Sequence, residues 1–485
     1  MEALAVRPDL GSSELSHPTR TRLELAELCV HALAQLPDSV RLELGPPENT
    51  RLSQIAEAYG VRDRIDTRGD GAFAFVTRNG VVSSAELACM SLGEIVESVG
   101  EGASSSIDES RDELLAGHSV VVVTNYPAHY RLPLFQEMTR RLARVGADLH
   151  VLFLSKGEGS RPWLSDAGEG FRHEFLSSRR LPIRQRPPLV PSDLEERIRV
   201  HSPTIVLAPG FSPFVAHRAA RVASQLHAAV GVWSGETGAM PTAQSRARRF
   251  LRLRMARRFD FGIAYGARAA VYLRELHDAL PVVIGRNTAP ALAGKIEPRE
   301  GTRFELVLVG DLASPRKGVD VAIKAMQLAA DEGVRLSVIG GGKLLAPLSE
   351  AASGDDRIIF LGPLPPSEVR RRMIASDALL FPTRSDVFGL VLVEAMGAGL
   401  LAIVSSSAGA AEDLAVHEQN AIVVDGHDPI DWAGAIARLV ADPERARVLG
   451  SRARRTIDAR WRISHAAEAM LAGLRLGASV RSRPA

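Results

Sequence analysis

Residues 378–405 read ALLFPTRSDVFGLVLVEAMGAGLLAIVS. Two short apolar runs, 378–382 and 401–405, flank an apolar segment that is long enough for a helix. Strands buried on both faces are continuous apolar runs, and the order strand, helix, strand is typical of parallel βαβ units. The stretch therefore predicts a doubly wound α/β sheet. It also raises a question, because its apolar helix is accompanied by two carboxylates, Asp386 and Glu394.

The same alternation of apolar runs and helix-length segments covers most of the chain. It forms two series that are separated near 287–302. The pattern predicts two Rossmann-like, doubly wound domains facing each other across a cleft, with ligands at the carboxyl ends of the strands. The remaining apolar runs are 118–124, 149–154, 204–208, 230–233, 261–265, 304–309, 334–340 and 421–424.

These series set the expected domain boundaries. We place an N-terminal domain at 116–295 and a C-terminal domain at 296–475, whose last helix could pack back on the N-terminal domain. A disordered tail is expected over 476–485. Residues 1–115 form an N-terminal extension of unknown role that ends in a polar linker, 100–115. A small α/β remnant is one interpretation of this extension, and a chance likeness to a βαβ unit is the other.

Composition limits the partners and the compartment. The 485 residues carry 59 basic and 57 acidic side chains, so the net charge predicts no nucleic-acid partner. Only two cysteines occur, which excludes a disulfide scaffold and suits a reducing cytoplasm. The chain shows no apolar run of membrane-spanning length and no secretory signal pattern at its start. We therefore expect a cytoplasmic protein.

The segment after Pro382 has the features of a phosphate site. A helix that follows a parallel strand points its N-terminus, here near Gly389, at the ligand edge, where free amides and the helix dipole favour anions. A helix rises 1.5 Å per residue, so Asp386 and Glu394 should lie roughly 10–12 Å apart. That distance matches the span from sugar to ribose in a nucleoside-diphosphate-sugar. The alternative is a core helix with one polar residue.

A second loop strengthens the phosphate interpretation. Arg316, Lys317 and Gly318 follow the run 304–309, so they place two cations at the carboxyl end of a predicted strand. Arginine can bind phosphate oxygens in a bidentate manner and lysine adds a compact charge, which suits a diphosphate leaving group. Taken alone, the sequence PRKG is most often a solvated turn.

Together these motifs resemble the retaining GT-B glycosyltransferases of glycosyltransferase family 4. Gly310, the Arg316–Gly318 loop, the stretch from Phe381 to Ser406 and the ending DPERARVLGSRARRTIDARWRISHAAEAM (442–470) carry the likeness. It covers about residues 118–475 and is strongest from 304 onward. The resemblance implies a GT-B fold and a nucleoside-diphosphate-sugar donor of the UDP or GDP type.

The resemblance also implies roles for matching residues. Lys317, helped by Arg316, would neutralise the donor diphosphate. Asp386 stands where the first glutamate of the family's E-x7-E pattern lies, near the transferred sugar, and Glu394 matches the second, which holds the ribose. The remaining donor-site candidates are Gly310, Phe388, Gly389 and Leu390.

The chain departs from the family pattern at several positions. Asp386 is one methylene shorter than the usual glutamate, and Asp311 occupies a position that is often arginine. The family's glycine-rich loop after the first strand is replaced by NYPAHYRLPLF (125–135), and a frequent histidine is absent from VWSGETG (232–238).

Two further residues are candidates on the acceptor side and are counted among the catalytic candidates. His129 and Glu236 each follow a predicted strand of the N-terminal domain. The alternative for His129 is packing on Tyr126 and Tyr130, and for Glu236 it is a role in capping the next helix. In the front-face mechanism implied by the resemblance the leaving phosphate takes the acceptor proton, so no strong protein base is required.

The sequence is compatible with several partners and functions. The acceptor could be a glycan, a lipid-linked molecule or a small molecule. The segment 245–259 is rich in arginine, which leaves open a peripheral contact with an anionic membrane surface at the inner face, although the arginines surround the whole helix. No D-x-D motif occurs, so we expect no metal and no cofactor. A sugar-nucleotide isomerase resembling the non-hydrolysing 2-epimerases, and a weakly catalytic sugar-nucleotide-binding subunit, are the alternatives.

Overall fold

The fold is taken from a computed structural model of the chain. It describes residues 22–36, 41–43, 50–59, 61, 65–66, 74–77, 80–83, 92–93, 95–96, 109–157, 168–181, 188–212, 214–240, 245–290, 303–329 and 332–481. Two parallel sheets with helices on both faces dominate it. The predicted pair of doubly wound α/β domains is therefore confirmed.

The N-terminal extension packs onto the domain that follows it. Its four strands form a sheet in the order β2-β1-β3-β4, in which β1 is parallel to β2 and antiparallel to β3. Leu33 and Ile55, one from each of its helices, are fully buried in the same apolar core as the strands of the N-terminal domain. The elements are α1 Arg22–Leu33, β1 Arg41–Glu43, α2 Thr50–Tyr59, β2 Ile65–Asp66, β3 Ala74–Thr77 and β4 Gly80–Ser83.

The predicted linker over 100–115 is wrong in its second half. Residues Glu109–Leu115 form a 3₁₀ helix. Its Asp112 is buried and accepts two hydrogen bonds from Arg141, at 2.7 and 2.8 Å. Polar composition suggested exposure, but these charges are neutralised by partners distant in sequence. Residues 100–108 lie outside the described part of the chain.

The N-terminal domain is built on a seven-stranded sheet. All of its strands are parallel, in the order β13-β12-β11-β10-β5-β6-β7, and the central four are apolar and buried. The seven strands are β5 Ser119–Thr124, β6 Asp148–Phe153, β7 Arg172–Phe175, β10 Ile205–Pro209, β11 Ala229–Ser234, β12 Phe261–Ala264 and β13 Val282–Ile284. Two further strands, β8 Ser178–Arg180 and β9 Leu189–Pro191, form a separate antiparallel pair. The helices are α3 Leu132–Arg144, α4 Leu194–Val200, α5 Ala216–Gln225, α6 Arg246–Ala256 and α7 Ala267–Leu276.

The C-terminal domain is built on a six-stranded parallel sheet in the order β16-β15-β14-β17-β18-β19. Numbered from its own first strand this is 3-2-1-4-5-6, the strand order of dinucleotide-binding folds. The strands are β14 Phe304–Val309, β15 Val334–Ile339, β16 Ile358–Gly362, β17 Ala378–Phe381, β18 Leu401–Ser405 and β19 Ile422–Val424. The helices are α8 Val319–Leu328, α9 Leu345–Ala351, α10 Pro366–Ile374, α11 Leu390–Ala398, α12 Ala411–Leu414, α13 Pro429–Ala441, α14 Pro443–Arg460 and α15 Ile463–Arg481.

The last helix, α15, leaves the C-terminal domain and lies on the N-terminal one. Its Met470 and Leu474 are buried in the core formed with β5, β6 and α3. Its Arg475 binds Asp112 at 3.1 Å. Because α15 runs to Arg481, the predicted disordered tail is wrong for 476–481, while 482–485 lie outside the described residues. In the described part of the chain, no helix has the length and apolarity needed to cross a membrane.

The two chain crossings between the domains are bonded to each other. Trp461 Nε1 donates to the carbonyl of Asn287 at 3.0 Å, and Thr288 Oγ1 donates to the carbonyl of Trp461 at 2.7 Å. The buried Arg286 guanidinium donates to the carbonyl of Arg460 at 3.2 Å and to that of Ala34 at 2.9 Å. The extension therefore contacts the hinge directly, at the C-terminal end of α1.

Candidate active site

The candidate site lies where the strand order of the C-terminal sheet reverses. β14 and β17 are neighbours in the sheet, yet each continues into a helix on the opposite side, which opens a crevice at their carboxyl ends. Two loops border this crevice. The cation loop, 310–318, follows β14, and the carboxylate loop, 382–389, follows β17. Lys317, Arg316 and Asp386, which the sequence predicts as site residues, are therefore brought together here.

Backbone and side-chain bonds hold the two loops against each other. The carbonyl of Arg316 accepts from Thr383 Oγ1 at 3.0 Å and from the amide of Arg384 at 2.8 Å. The Arg384 guanidinium also binds both carboxylate oxygens of Asp320, each at 2.7 Å. Gly318 has φ +67°, and a Cβ there would overlap the carbonyl of Pro382. Glycine is thus required where the loops touch.

An ion pair forms the centre of the site. Lys317 Nζ lies 2.5 Å from Asp386 Oδ2, and the two side chains are only 13% and 11% exposed. The Lys317 ammonium also lies 5.2 Å from the centroid of the Phe381 ring. Arg316 Nη1 donates to the carbonyl of Ser385 at 3.4 Å, so a second cation borders the same loop. The geometry holds two positive charges at the crevice, where they could receive an anion.

The carboxylate loop leads into helix α11 through a left-handed glycine. Gly389 has φ +96° and is the N-cap residue of α11, with Leu390 as the first helical residue. The amide of Phe388 is 3.4 Å from Asp386 Oδ1, which fixes the carboxylate relative to the helix start. The first-turn amides of α11 therefore begin next to the ion pair, as an anion-binding helix terminus requires.

Glu394 lies one turn into α11 and is poorly solvated. Burial raises its pKa to about 7, and the nearby Arg370 guanidinium of α10 opposes this rise. No hydrogen bond to its carboxyl group comes from any residue that the structure describes. A carboxylate in this state can accept hydrogen bonds from the hydroxyls of a ligand, which would restore its lost solvation.

One component of this edge is not predicted from the sequence. The segment Gly340–Gly342 follows β15 and packs on the start of the cation loop, where the amide of Leu312 donates to the carbonyl of Gly341 at 2.9 Å. Its spacing does not fit a P-loop, and on that basis the sequence suggests no role. The position of these glycines could have indicated the role, because a glycine run directly after a parallel strand lies at the ligand edge of the sheet.

Glu236, at the carboxyl end of β11, is paired with a cation. Its Oε2 lies 2.6 Å from Arg252 Nη2, and the Arg252 Nη1 donates to the Tyr272 hydroxyl at 3.0 Å. Burial raises the pKa of Glu236, and Arg252 opposes the rise. His129 makes an edge contact with the Tyr130 ring at 5.5 Å between centroids, which is one of the contacts expected if it is a packed loop histidine.

The N-terminal strand ends approach the carboxylate loop. Gly235 precedes Glu236, and a Cβ at Gly235 would lie 2.5 Å from Val387 Cγ1. The Tyr265 ring, after β12, borders the same glycine, and its hydroxyl accepts a hydrogen bond from Arg131. The Arg131 guanidinium also stacks 4.7 Å above the Trp233 ring. The acceptor-side candidate Glu236 is thus next in sequence to a residue that touches the loop of Asp386.

This geometry agrees with a family profile that matches residues 294–456 and is described as "Glycosyl transferases group 1". Residues 294–456 are thus similar to the group 1 glycosyltransferase domain. The matched residues include both loops of the candidate site and all of α11. They make up about a third of the chain.

Curated relatives of the group 1 domain are similar over part of their length. A "D-inositol 3-phosphate glycosyltransferase" of Xylanimonas cellulosilytica is 33% identical over 177 residues, which are 34% of this chain and 41% of that protein. A "GDP-mannose-dependent alpha-(1-6)-phosphatidylinositol monomannoside mannosyltransferase" of Mycobacterium tuberculosis is 32% identical over 176 residues, 34% of this chain and 45% of that protein. The chain thus spans less than half the length of these relatives.

Solved structures resemble the fold over a larger share of the chain. Anabaena HepE in complex with UDP and glucose has a TM-score of 0.56 at 14% identity, covering 73% of this chain and 98% of HepE. Sucrose-phosphate synthase from Thermosynechococcus elongatus has a TM-score of 0.56 at 18% identity, covering 73% and 97%. The fold with two Rossmann-like domains is therefore the GT-B fold of glycosyltransferase structures.

Proposed function

We propose that this protein is a retaining, family 4 glycosyltransferase that moves a hexose-type sugar from a nucleoside-diphosphate-sugar to an acceptor. The observation that carries the proposal is the Lys317–Asp386 pair, which lies at the strand-order reversal of the group 1 domain and beside the N-terminus of α11. Cations, helix amides and a hydroxyl-binding carboxylate occur there in the order in which a sugar nucleotide presents its groups.

The proposed mechanism relies on charge stabilisation of the leaving group. Lys317 and Arg316 bind the diphosphate and offset the negative charge that grows as the bond to the sugar breaks. Gly389 and the first amides of α11 bind the same diphosphate, while Phe388 and Leu390 contribute backbone contacts. Gly310 leaves room for the stem of Lys317, because a Cβ there would lie 2.9 Å from Lys317 Cγ.

The two carboxylates divide the ends of the donor between them. Asp386 is proposed to bind hydroxyls of the transferred sugar once the diphosphate has drawn Lys317 away from it. Glu394 binds the ribose hydroxyls, since it has no hydrogen-bond partner among the described residues. UDP and GDP sugars are the proposed donors, and neither a metal nor a further cofactor has a role in this mechanism.

The acceptor is proposed to enter from the N-terminal domain. Glu236 and His129 lie after strands β11 and β5, at the carboxyl edge of that sheet, and the residue before Glu236 touches the carboxylate loop. The leaving phosphate takes the proton of the acceptor hydroxyl, and Glu236 orients that hydroxyl. Glycans, lipid-linked molecules and small molecules are the classes to test, with inositol phosphates and phosphatidylinositol mannosides first, because relatives carry those names.

Release of nucleoside diphosphate tests the proposal. Purified protein is incubated with UDP-, GDP-, ADP- and dTDP-sugars and with acceptors of each class, and the nucleotide and the anomeric configuration of the product are measured. Turnover with retention is expected. A sugar nucleotide that is epimerised without release would support the isomerase alternative. Tight donor binding without turnover until a partner protein is added would support the binding-subunit alternative.

Helix α6 is proposed to hold this cytoplasmic enzyme at the inner face of an anionic membrane. Phe250 and Leu251 project from it with 60% and 55% of their surface exposed. Its Arg252 points inward to Glu236, so the helix is connected to the acceptor side. The exposed cations around the two apolar side chains are Arg246, Arg249, Arg254, Arg257 and Arg258. Apolar insertion surrounded by arginine suits anionic lipid headgroups.

Vesicle flotation tests the membrane contact. We expect binding to vesicles of equal parts phosphatidylglycerol and phosphatidylcholine and little binding to phosphatidylcholine alone. Phe250→Ser should weaken binding about tenfold, since burying a large apolar side chain contributes roughly 1.5–3 kcal/mol. Val448→Ser, at an exposed apolar position of the C-terminal domain, is the control. Equal binding of wild type and Phe250→Ser would contradict this part of the proposal.

A further inference from the structure

A short segment of the C-terminal domain, 408–414, supports the carboxylate loop from behind. Ala408 forms a parallel β-bridge with Asp386. The amide of Ala410 donates to the carbonyl of Phe388 at 2.6 Å. Gly409 packs so closely on Val387 that a Cβ would lie 2.6 Å from its carbonyl oxygen. The carboxylate loop and the segment 408–414 therefore form one unit.

The side chain of Asp413 bonds the same segment to the other domain. The carboxylate oxygens of Asp413 lie 3.0 and 3.2 Å from the amide of Ala267, which donates to them. Ala267 is the first residue of α7 in the N-terminal domain. Asp413 is 3% exposed, so this interdomain bond is shielded from water. Asp413 thus caps the N-terminus of a helix that belongs to the opposite domain, a position that favours an acidic side chain.

Neighbouring residues close the contact around this bond. Gly266, the N-cap of α7, has space only for a hydrogen, because a Cβ there would lie 2.8 Å from Phe388 Cε2 and overlap Asp413. Arg268 donates to the carbonyl of Ser406 at 2.5 Å, and its guanidinium is 3.8 Å from Glu412. The start of α7 therefore touches both the Phe388 ring of the carboxylate loop and the segment that supports that loop.

We propose that Asp413 is a positioning residue that latches α7 to the segment 408–414 and so couples domain closure to the placement of the carboxylate loop. The inference rests on the proposed glycosyl transfer for its effect on turnover. Its structural part is independent of that proposal, because the latch joins the domains whatever the reaction. Asp413 does not touch the crevice through its side chain, so it acts through the loop.

Substitutions on both sides of the bond test the latch. Asp413→Ala removes the acceptor, whereas Asp413→Asn keeps an oxygen that can accept from the same amide. Ala267→Pro removes the amide hydrogen at the first helical position, where proline is tolerated. Asp442→Ala is the matched control, since Asp442 caps α14 within the C-terminal domain by accepting from the amide of Arg445 at 3.1 Å.

The first measurement is the distance between spin labels at the exposed residues Ser224 and Ser349, one in each domain, in a Cys89→Ser background. Asp413→Ala and Ala267→Pro should each broaden the distance distribution and increase its mean. Combining the two substitutions should change the distribution no more than Asp413→Ala alone. Asp413→Asn and Asp442→Ala should keep the wild-type distribution. Unchanged distances in Asp413→Ala would overturn the latch.

The second measurement separates positioning from stability. Turnover of Asp413→Ala should fall about tenfold, because the variant loses the capping hydrogen bond and the helix-dipole interaction with α7. Its affinity for a nucleoside diphosphate, which binds the C-terminal domain, should stay within about twofold of wild type. Asp413→Asn should recover most of the turnover. If Asp413→Ala weakened diphosphate binding and lowered turnover equally, the role would be structural and the inference wrong. If the wild type showed no turnover, the proposed function would fail, while the distances would still decide the latch.

Discussion

Replacing Lys317 by methionine removes a charge and keeps most of the side-chain stem. In the free protein the ammonium is 2.5 Å from Asp386, and both groups are mostly buried. Methionine can still pack on Gly310 and near the Phe381 ring, so the apolar contacts of the stem persist. The variant therefore tests the charge in two roles, as the partner of Asp386 and as the ligand of a donor diphosphate.

The first role predicts a loss of stability, and the second predicts a loss of catalytic efficiency. Leaving the Asp386 carboxylate without its charged partner should lower the free energy of unfolding by about 1.5–3 kcal/mol. Losing one preorganised contact to the departing diphosphate should lower kcat/KM about 10²–10³-fold, equivalent to roughly 2.7–4 kcal/mol. The stability loss is measured by denaturant unfolding and the catalytic loss by nucleotide release at fixed acceptor concentration.

A double variant separates the two roles. In Lys317→Met with Asp386→Asn neither charge remains, so stability should return to near the wild-type value. Catalysis should stay low, because the diphosphate still lacks its cation. If the double variant regained activity together with stability, the lysine would serve only to neutralise Asp386 and would not be the ligand of the diphosphate.

Three further predictions follow from the same site and from the hinge. Because burial raises the pKa of Glu394 to about 7, its ribose-binding carboxylate is protonated as pH falls below 7. Nucleotide affinity, measured by calorimetry, should weaken by up to about tenfold for each pH unit below 7. In Glu394→Gln the affinity should not change over the same pH range. Gly318→Ala should weaken nucleotide binding more than tenfold, because its φ is +67° and a carbonyl occupies the Cβ position, whereas Gly354→Ala, with open space and an ordinary φ, should not. Tyr59→Phe should lower the free energy of unfolding by about 1–3 kcal/mol, since the hydroxyl bonds both the amide and the carbonyl of Ile284; an unchanged denaturation midpoint would rule this out.

The raised pKa of Glu394 changes stability with pH in the opposite direction to nucleotide affinity. Its ordinary pKa is 4.5 and its folded pKa is about 7, so the folded protein holds a proton that the unfolded chain releases between these values. Its contribution to the free energy of unfolding is complete below pH 4.5 and decreases as pH rises to 7. A bound ribose that prefers the carboxylate would draw this pKa down.

Much of the C-terminal site follows from local sequence. Lys317 and Asp386 are 69 positions apart, yet each comes a few residues after an apolar run. Parallel strands with helical crossovers bring all such positions to one edge of a sheet, so the pattern alone predicts that both loops border one crevice. Helix α11 is also predicted, because a long apolar segment bounded by Gly389 and Gly399 is compatible with few structures other than a buried helix.

Contacts between distant elements were not predictable in this way. Asp112 belongs to a polar run that suggests a linker, and only the fold shows that Arg141 and Arg475 neutralise it. From the sequence, Asp413 is an ordinary acidic residue in a short segment, and only the fold shows its contact with α7 of the other domain. The extension shows the same limit, since Tyr59 meets Ile284 across 225 positions. Single-sequence patterns report which face of an element is apolar, but they do not report which partner covers it.

We propose that a sugar nucleotide binds between the cation loop and the carboxylate loop. Hydrogen exchange with mass spectrometry tests it most directly, with and without the UDP- or GDP-sugar that stabilises the protein most. Donor binding at this site should slow exchange in 310–318 and 382–394, and Lys317→Met should lose that protection. Protection confined to other segments, such as the apolar groove beside Leu328 and Ile430, with 310–318 and 382–394 unchanged, would contradict it.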